Sequence, residues 1–457
     1  MEATYGTRAK TIRITVTPLP SSLQHLPSLE IRPSRVPSSV SLSVPGSKSI
    51  SNRALLMAAF AEGRSRLTGF LDADDTKHAV FCLKALGFKI EHVSHDVIEV
   101  EGQSGRVPHS EAKLYLGAAG TVARFLPGLL SASISDGQWI LSGDSTLTRR
   151  PQKPLVDSLN ALGAKIAFLG QPGCLPLNVT GNKLLGGKIS IDGSISSQFV
   201  SGLLMAAPLA RVATEVQVTN TLVQPEYITM TESLMKRFGA EVSRNGSTWH
   251  IEPKPYRGAD IAIEADFSSA SYMFALAALH GTTVTVSNLP FETHQPDKKI
   301  LEALSQMGCT IIDSMESTQV TGPTHLKGGF VLDLTEYSDQ ALTLGVLAAK
   351  CDAPVELTGI GHIRYHESNR LQSLHSNLQG IGIASEITKN GIIVYPGAIK
   401  PGVIDPHGDH RCAMSFAILA SRSETMQILN PACTEKTYPD FFSVLDSIGI
   451  NVIGLHP

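Results

Sequence analysis

Three stretches of the chain carry hydroxyl, amide and cationic side chains at points where an apolar helix is expected to begin. The first turn of a helix presents unpaired N–H groups and the positive end of the helix dipole, and both suit an anion. Arginine adds a planar guanidinium that pairs with phosphate or carboxylate through two parallel hydrogen bonds. The residues are Ser47, Lys48, Ser49 and Arg53 in the first stretch, Ser196, Ser197 and Gln198 in the second, and Asp409, His410 and Arg411 in the third. The pattern predicts a polar site for ligands that carry phosphate and carboxylate groups.

Each of these residues also has an ordinary structural interpretation. A serine at a helix start is usually only a cap, and a lone arginine in a turn is usually a solvated charge. Asp409 can form a local ion pair with Arg411. What favours a binding site is the recurrence of such residues at equivalent positions of a repeated sequence.

The repeat is an apolar helix that follows a small or polar turn and occurs six times. Successive starts lie roughly 70 to 77 residues apart. Each start offers Ser, Asp or Gly as a helix N-cap, and helices this apolar are expected to be buried. The six segments begin at Gly46, Gly117, Gly193, Glu264, Glu336 and Asp405.

A second helix recurs at the same period and ends in a glycine. A glycine there suits the left-handed backbone of a helix C-cap. Short β-rich stretches such as VIEVEG, LPLNVTG and GIIVYPG follow it. The six glycines are Gly87, Gly163, Gly239, Gly308, Gly382 and Gly449. Each unit is therefore predicted to be α/β, with two helices and several strands.

Six such units fit either two domains of three units or one continuous solenoid. The length of 457 residues suits two domains. Pro- and Gly-rich joints at Val44–Gly46 and Pro253–Ala262 predict two crossings between them. We therefore expect an N-terminal extension over 1–35, one domain from 36–46 and 264–457, and an inserted domain over 47–263.

Composition limits the classes of function. The net charge of −3 gives no basic surface of the kind that nucleic-acid binders show. The six cysteines are scattered, which predicts reduced thiols, and no apolar run is long enough to span a membrane. The first 35 residues lack the apolar core of a signal peptide. We expect a cytoplasmic protein with an ordinary extension, and an organelle transit segment is the alternative.

The motifs resemble those of the EPSP synthase family, the enolpyruvyl transferases of the shikimate pathway. The resemblance rests on VPGSKSISNRALLMAA, LGAAGTVARFLPGLL, GDSTLTRRPQKPLVDSLNALGA, SISSQFVSGLLMAAPLA, EADFSSASYMFALAA, IRYHESNRL, GDHRCAMSF and NPACTEKTYPDFF. These segments occur in the family's order and run from about Val40 to Ile448, nearly the whole chain.

The resemblance implies a fold, substrates and a mode of action. Two domains, each of three βαβαββ-like units, form an inside-out α/β barrel and close around the substrates. These are phosphoenolpyruvate and shikimate 3-phosphate, and the reaction uses no metal and no organic cofactor. The family also suggests a monomer, and its inhibitor glyphosate occupies the phosphoenolpyruvate site.

The resemblance also implies roles for individual residues. Asp339 and Glu367 would transfer protons, with Lys48 and His410 beside them. Arg124 would support the loop that carries Gly120. The phosphoenolpyruvate site would comprise Lys48, Gly120, Arg150, Gln198, Arg370, Arg411 and Lys436. The shikimate 3-phosphate site would comprise Lys48, Ser49, Arg53, Ser196, Ser197, Gln198, Tyr227, Asp339 and His366.

Five positions depart from the family's common residues. Ala118 replaces an Asn, Phe125 a Pro, Thr146 an Arg, His366 a Lys, and Asn369 an acidic residue. The Tyr227 segment is also shifted in register against the usual pattern. Several departures lie on the acceptor side, so they bear on which acceptor the protein uses.

Three other functions are compatible with parts of the pattern. The branch that acts on an amino sugar usually begins G-S-K-N and carries a reactive cysteine in its second unit. Here the motif is GSKSISNR, and no cysteine lies between Cys82 and Cys174. An enolpyruvyl transferase with another acceptor, such as a nucleotide, would keep the donor residues and change the acceptor residues. A silent binding protein would have lost a carboxylate or an arginine that this chain retains.

Overall fold

A computed structural model describes residues 12–13, 26–315 and 317–455. Within these ranges the chain forms twelve α-helices and 25 strands. The helices are α1 (Lys48–Phe60), α2 (Asp74–Ala85), α3 (Gly120–Ala132), α4 (Lys153–Ala161), α5 (Ser197–Ala206), α6 (Glu226–Arg237), α7 (Phe267–His280), α8 (Ile300–Gln306), α9 (Ala341–Ala348), α10 (Arg370–Gly380), α11 (His410–Ala420) and α12 (Phe441–Ser447).

The strands are short. They are β1 (Ile12–Arg13), β2 (Ser28–Arg32), β3 (Ser39–Leu42), β4 (Glu62–Thr68), β5 (Lys89–Ser94), β6 (Val97–Gln103), β7 (Glu111–Tyr115), β8 (Gly137–Ser142), β9 (Lys165–Phe168), β10 (Leu177–Gly181), β11 (Gly187–Asp192), β12 (Thr214–Thr219), β13 (Val242–Asn245), β14 (Thr248–Ile251), β15 (Asp260–Ala262), β16 (Thr283–Val286), β17 (Thr310–Asp313), β18 (Thr318–Thr321), β19 (Phe330–Asp333), β20 (Val355–Thr358), β21 (Ser385–Ile387), β22 (Ile392–Val394), β23 (Gly402–Ile404), β24 (Met426–Leu429) and β25 (Asn451–Leu455).

Six sheets share one topology, in which a parallel pair is followed by two antiparallel neighbours. The strand orders of units 1 to 6 are β15-β4-β6-β5, β7-β8-β10-β9, β11-β12-β14-β13, β3-β16-β18-β17, β19-β20-β22-β21 and β23-β24-β2-β25, and β1 adds to the β3 edge of unit 4. Each sheet carries two helices, from α1 and α2 in unit 1 to α11 and α12 in unit 6. The predicted α/β fold of six repeated units is confirmed.

Two strands join the sheet of a different unit from the one whose helix follows them in the chain. Strand β3 pairs with β16 of unit 4, although α1 of unit 1 comes next. Strand β15 pairs with β4 of unit 1, although α7 of unit 4 comes next. The two connecting segments lie side by side, since the Ser47 N–H donates to the Glu264 carbonyl at 2.7 Å and the Asp266 N–H donates to the Pro45 carbonyl at 2.9 Å. The chain thus passes twice, at one place, between the two groups of units.

The sixth sheet differs from the other five because its third strand comes from the start of the chain. Strand β2 pairs antiparallel with both β24 and β25. Leu29 and Ile31 are fully buried in the core below it. The expected extension over 1–35 is therefore wrong for residues 28–32, which complete a sheet. Strand β1, at residues 12–13, pairs with β3, and residues 14–25 lie outside the described part of the chain.

The apolar side chains form two separate cores. One draws on residues 50–263 and the other on residues 29–44 and 265–452. In the first, α3 packs against α1 and α5, and in the second, α7, α9 and α11 pack against one another. Helices α3 and α5 approach closely at Gly202, where a Cβ would lie 2.2 Å from the Arg124 carbonyl oxygen. The first helix of each unit is buried, as its composition predicts.

The ends of the helices match the sequence patterns unequally. All six predicted C-terminal glycines have positive φ, between 81° and 96°. At the six helix starts, side chains cap only α5, α7 and α11, through Ser196, Asp266 and Asp409. Ser47 forms no side-chain cap on α1, and Ala119 and Gln340 stand at the starts of α3 and α9. The general N-cap prediction is thus wrong for three units.

Candidate active site

One cavity is lined by helix starts and turns from both groups of units. The starts of α1, α3 and α5 approach it from the first core, and those of α10 and α11 from the second. All but one of the predicted site residues line it: Lys48, Ser49, Arg53, Gly120, Arg124, Arg150, Ser196, Ser197, Gln198, Tyr227, Asp339, His366, Glu367, Arg370, His410 and Arg411. The lining contains six cationic side chains and three carboxylates, so the cavity favours anions.

Lys436 is the exception, because it lies behind the cavity wall. Its Nζ is 3.4 Å from Glu367 Oε1 and 3.9 Å from Asp75 Oδ1, and it donates to the Ala118 carbonyl at 3.1 Å. Lys48 Nζ lies 3.4 Å from the other oxygen of Asp75. Asp75 therefore holds two predicted donor-site lysines together.

Arg370 is at the centre of the carboxylate cluster. Its Nε donates to Asp409 at 2.7 Å, its Nη1 to Asp339 at 2.7 Å and its Nη2 to Glu367 at 2.8 Å. Asp409 caps α11 through the Arg411 backbone N–H, so it does not pair with the Arg411 side chain. The guanidinium of Arg370 thus fixes the positions of both predicted proton-transfer residues.

Asp339 lies on the turn Ser338–Gln340, just before α9. It accepts from Arg370 at 2.7 Å and from Arg411 at 2.9 Å. Burial alone would raise the pKa of this carboxyl, but the Arg411 and Arg370 guanidiniums outweigh that effect and hold the pKa well below its usual range. Asp339 is therefore held in its ionised form by these two guanidiniums.

Glu367 faces the other side of the cluster. In addition to Arg370, it lies 3.4 Å from Lys436 Nζ and 3.6 Å from Arg150 Nη1. Burial opposes ionisation, yet Lys436, Arg370 and Arg150 together lower the pKa of Glu367 well below its usual range. Three of the five cations that the resemblance assigns to phosphoenolpyruvate therefore balance the charge of this carboxylate.

Gly120 opens α3 against the guanidiniums of Arg150 and Arg124. A Cβ at this position would lie 2.4 Å from Arg150 Nη1 and 2.9 Å from Arg124 Nη1. Arg124 donates to the Gly120 carbonyl at 2.9 Å, and the Nε of Arg150 has no hydrogen-bond partner among the described residues. The glycine thus lets Arg150 lie against the helix start with a donor still free.

Arg53 is held by protein groups on the predicted acceptor side. Its Nε donates to the Thr231 hydroxyl at 2.7 Å and its Nη1 to the Ser49 carbonyl at 2.9 Å. Its guanidinium also lies over the Phe125 ring, 4.8 Å from the centroid. Phe125, where the family commonly has Pro, therefore packs against Arg53.

Tyr227 reaches the cavity despite the shifted register of its segment. Its carbonyl accepts from Thr231, and its hydroxyl lies 3.5 Å from Asp339 Oδ2. Ser196 caps α5, and Ser197 and Gln198 form the first turn of that helix at the cavity wall. Unit 3 thus adds uncharged polar groups to the site.

Two histidines, the partly buried His366 and the buried His410, contribute neutral groups. His366 Nδ1 lies 3.0 Å from Arg370 Nη1, and burial together with Arg370 lowers the pKa of His366 well below its usual value. Burial and the nearby Lys48 likewise lower the pKa of His410. Neither ring nitrogen of His410 has a hydrogen-bond partner among the described residues, although the ring lines the cavity. His410 therefore retains hydrogen-bonding capacity for a ligand.

Sequence reasoning assigned no role to seven residues that line the same cavity, and three of these, Asp75, Gln224 and Tyr365, lie outside the repeat's helix-start motifs and carry polar groups. Asp75 opens α2 within the acidic stretch DADDT, which looks like an ordinary helix start. Gln224 has a left-handed backbone (φ 49°) and donates to the Ser338 hydroxyl at 3.0 Å, which joins the two groups of units. Tyr365 lies at the cavity rim and is 66% exposed. None of the three belongs to a helix-start motif of the repeat.

The described residues contain no group of three or more His, Cys, Asp or Glu side chains arranged to hold a metal ion. In the same part of the chain, no helix has both the length and the apolar character required to cross a membrane. Five cysteines are buried and Cys433 is partly buried, all as free thiols.

Comparison with known proteins identifies the family. A family model described as EPSP synthase (3-phosphoshikimate 1-carboxyvinyltransferase) matches residues 32–445. The chain is 41% identical over 416 residues to 3-phosphoshikimate 1-carboxyvinyltransferase 2 of Halalkalibacterium halodurans, an alignment that covers 90% of this chain and 92% of that protein. It is 38% identical over 421 residues to the 3-phosphoshikimate 1-carboxyvinyltransferase of Methanospirillum hungatei, covering 90% and 96% of the two chains. The solved EPSP synthase from Acinetobacter baumannii superposes with a TM-score of 0.78 at 27% identity, covering 93% and 99%. The chain therefore belongs to the EPSP synthase family.

Proposed function

We propose that this protein transfers the enolpyruvyl group of phosphoenolpyruvate to the 5-hydroxyl of shikimate 3-phosphate and releases phosphate. The observation that carries the proposal is the cluster in which Arg370 contacts both Asp339 and Glu367 inside a cationic cavity. That arrangement places two carboxylates, which can transfer protons, beside fixed positive charges, which can bind an anionic donor. Family membership supplies the identity of the two substrates.

The donor would bind among the cations that now surround Glu367. Its phosphate and carboxylate would contact Lys48, Arg150, Arg370, Arg411 and Lys436, near Gly120 and Gln198. Arg150 offers a free Nε for this purpose. The cationic set also stabilises the phosphate as it leaves, because fixed charge is most effective in a site that excludes water.

The acceptor would bind on the side of units 1 and 3. Ser49, Ser196, Ser197 and Gln198 present polar groups from helix starts, and Tyr227 presents its hydroxyl. The Arg53 guanidinium is already engaged by Thr231 and Ser49, so we assign it to shaping this side as well as to binding. Lys48 and His366 complete the set.

The reaction needs protons to move at the 5-hydroxyl, at C3 and at the leaving phosphate. Asp339 accepts the proton of the 5-hydroxyl as that oxygen attacks C2 of phosphoenolpyruvate, and Glu367 delivers a proton to C3. The tetrahedral adduct then collapses as Glu367 takes the proton back from C3, the C2–O bond to phosphate breaks, and the departing phosphate takes up the proton that Asp339 had accepted. Lys436, Arg370 and Arg150 keep Glu367 ionised, so a bound dianion that draws these cations away raises its pKa and lets it take a proton from solvent and donate it. His410 lies close enough to this cluster to contact the donor.

We retain the expected two-domain division, with the boundaries at residues 46–47 and 263–264, as part of the proposal. The adjacent segments at Pro45–Ser47 and Glu264–Asp266 support a hinge at this place. We also propose a monomer that acts in the cytoplasm without a cofactor.

A steady-state assay of phosphate release with phosphoenolpyruvate and shikimate 3-phosphate tests the proposal, with the product identified by mass spectrometry. UDP-N-acetylglucosamine and free nucleosides serve as alternative acceptors. Release that requires shikimate 3-phosphate and yields the enolpyruvyl ether is the expected result. Release only with another acceptor would reassign the substrate, and binding of both ligands without release would indicate a silent homologue.

A further inference from the structure

Asp297 is a buried carboxylate that has no role in the reaction described above. It lies on the turn Pro296–Lys299 before α8 and is 3% exposed. One carboxylate oxygen accepts a hydrogen bond from the side chain of Gln340, the residue that follows Asp339. The other oxygen lies 3.1 Å from the Tyr227 hydroxyl. The Ser268 side chain also forms a hydrogen bond with this carboxylate. Asp297 thus contacts two side chains next to the proposed general base, Gln340 and Tyr227, in addition to Ser268.

The Tyr227 hydroxyl is placed between two carboxylates. Its oxygen lies 3.1 Å from Asp297 Oδ2 and 3.5 Å from Asp339 Oδ2. A tyrosine hydroxyl has one hydrogen to donate and can also accept. If both carboxylates were ionised, one of them would face the hydroxyl oxygen without a hydrogen between them. A proton on one carboxylate removes this conflict.

The surrounding charges decide which carboxylate takes the proton. Asp339 accepts from the guanidiniums of both Arg370 and Arg411 and is ionised. Asp297 has no guanidinium hydrogen-bonded to it among the described residues. Burial raises the pKa of Asp297 and the charge of Asp339 adds to this effect, while Arg411 and the hydrogen bonds from Gln340 and Ser268 offset part of it. The buried Asp266 is a further acidic group, close enough to Asp297 for the two carboxyl groups to interact electrostatically.

We propose that Asp297 is a positioning residue that carries a proton and donates it in a hydrogen bond to Tyr227, so that the Tyr227 hydrogen points to Asp339. Tyr227 comes from unit 3 and the two carboxylates come from units 4 and 5. The chain Asp297–Tyr227–Asp339 therefore links the two groups of units at the acceptor side. It orients both Asp339, the proposed general base, and Tyr227, which is predicted to bind the acceptor.

This inference rests on the proposed function, because it assigns Tyr227 and Asp339 to the acceptor site. The substitution that tests it is Asp297→Asn. An asparagine oxygen can still accept from Gln340, and its N–H can donate to Tyr227, as the protonated acid does. Asp297→Ala removes both contacts, and Tyr227→Phe removes the hydroxyl that Asp297 is proposed to orient.

We expect Asp297→Asn to keep kcat and the KM for shikimate 3-phosphate within about threefold of the unsubstituted protein. Asp297→Ala should raise that KM by about tenfold or more, the scale of one lost hydrogen bond to a charged network. In a protein that already carries Tyr227→Phe, Asp297→Ala should raise the KM for shikimate 3-phosphate little further. Asp313→Ala is the matched control, because Asp313 is an acidic residue of the same unit that pairs with Lys298 at 2.7 Å, away from this cavity.

Two outcomes would overturn the inference. One is an Asp297→Asn protein, folded by its thermal transition, that is impaired as strongly as Asp297→Ala, because a charge would then be required. The other is an equal loss on Asp297→Ala with and without the Tyr227 hydroxyl. If Asp297→Ala does not fold, the Asp297→Asn result decides alone.

A measurement that does not depend on turnover separates this inference from the proposed function. The infrared carbonyl band of a protonated carboxylic acid should be present at neutral pH and lost in Asp297→Asn. Its presence in a protein that fails the phosphate-release assay would refute the proposed function and leave the protonated Asp297 in place. Its absence from an active protein would refute the inference alone.

Discussion

Gly120→Ala is the substitution whose effect the structure specifies most closely. A methyl group at this position would lie 2.4 Å from Arg150 Nη1 and 2.9 Å from Arg124 Nη1. Ordinary contact requires about 3.4 Å or more, so the Arg150 guanidinium must retreat by about 1 Å. The obstructing atoms end flexible side chains, so folding should be little affected.

The retreat acts on ligand binding. A hydrogen bond between charged groups is worth about 1.5–3 kcal/mol, and a displacement of about 1 Å removes a large part of it. We expect the inhibition constant of glyphosate to rise by at least about tenfold, or on the order of 1.4 kcal/mol. The KM for phosphoenolpyruvate should rise less, because the longer inhibitor has less room to follow the shifted guanidinium.

The assay is competitive inhibition of phosphate release against phosphoenolpyruvate, with thermal unfolding measured in parallel. Gly380→Ala is the control, because a Cβ at that glycine would meet nothing within 4 Å. An inhibition constant unmoved by Gly120→Ala in a folded protein would show that Arg150 and the start of α3 do not line the donor site. The assignment of unit 2 to phosphoenolpyruvate would then be abandoned.

Three further predictions follow from the same contacts. Glu367→Gln and Asp339→Asn should each lower kcat by about 10²-fold or more, the usual scale for a general acid or base, and a normal rate in either folded protein would contradict its role. Burial and Arg422 lower the pKa of His280 to about 4, below the value of about 6.5 that the residue has in the unfolded chain. As the pH falls between these two values, only the unfolded state gains this proton, so the protein becomes less stable. The free energies of unfolding at pH 7 and pH 5 should therefore differ less in the His280→Asn protein than in the unsubstituted protein. An unchanged difference would contradict the lowered pKa of His280. Shikimate 3-phosphate should reduce the radius of gyration of an opened molecule in small-angle scattering, and a constant radius with bound ligand would argue against closure.

The parts of the fold that the sequence predicted well depend on local chemistry. Gly87 and the five equivalent glycines have positive φ because a residue without a side chain is favoured at that point of the backbone. Cationic and hydroxyl residues at apolar helix starts gathered at one cavity, because equivalent positions of similar units face the same way. The period of the repeat was therefore enough to indicate both the units and the place of the site.

The parts that the sequence did not predict depend on distant partners. Asp75 and Asp297 look like ordinary acidic residues until Lys48, Lys436 and Tyr227 are brought beside them. Strand β2 was missed because its two neighbours in the sheet, β24 and β25, lie at the other end of the chain. No local pattern can report such contacts, since they arise only when the units assemble.

Strand β2 also sets an order of events during synthesis. It leaves the ribosome before any other strand of its sheet, yet β24 and β25 are made last. Until they emerge, its apolar residues Leu29 and Ile31 have no core to enter. Units 1 to 3, in contrast, need nothing made after β15. The first core can therefore assemble while translation continues, whereas the second core must wait for its final strand, and the nascent strand must be kept from aggregating in the meantime.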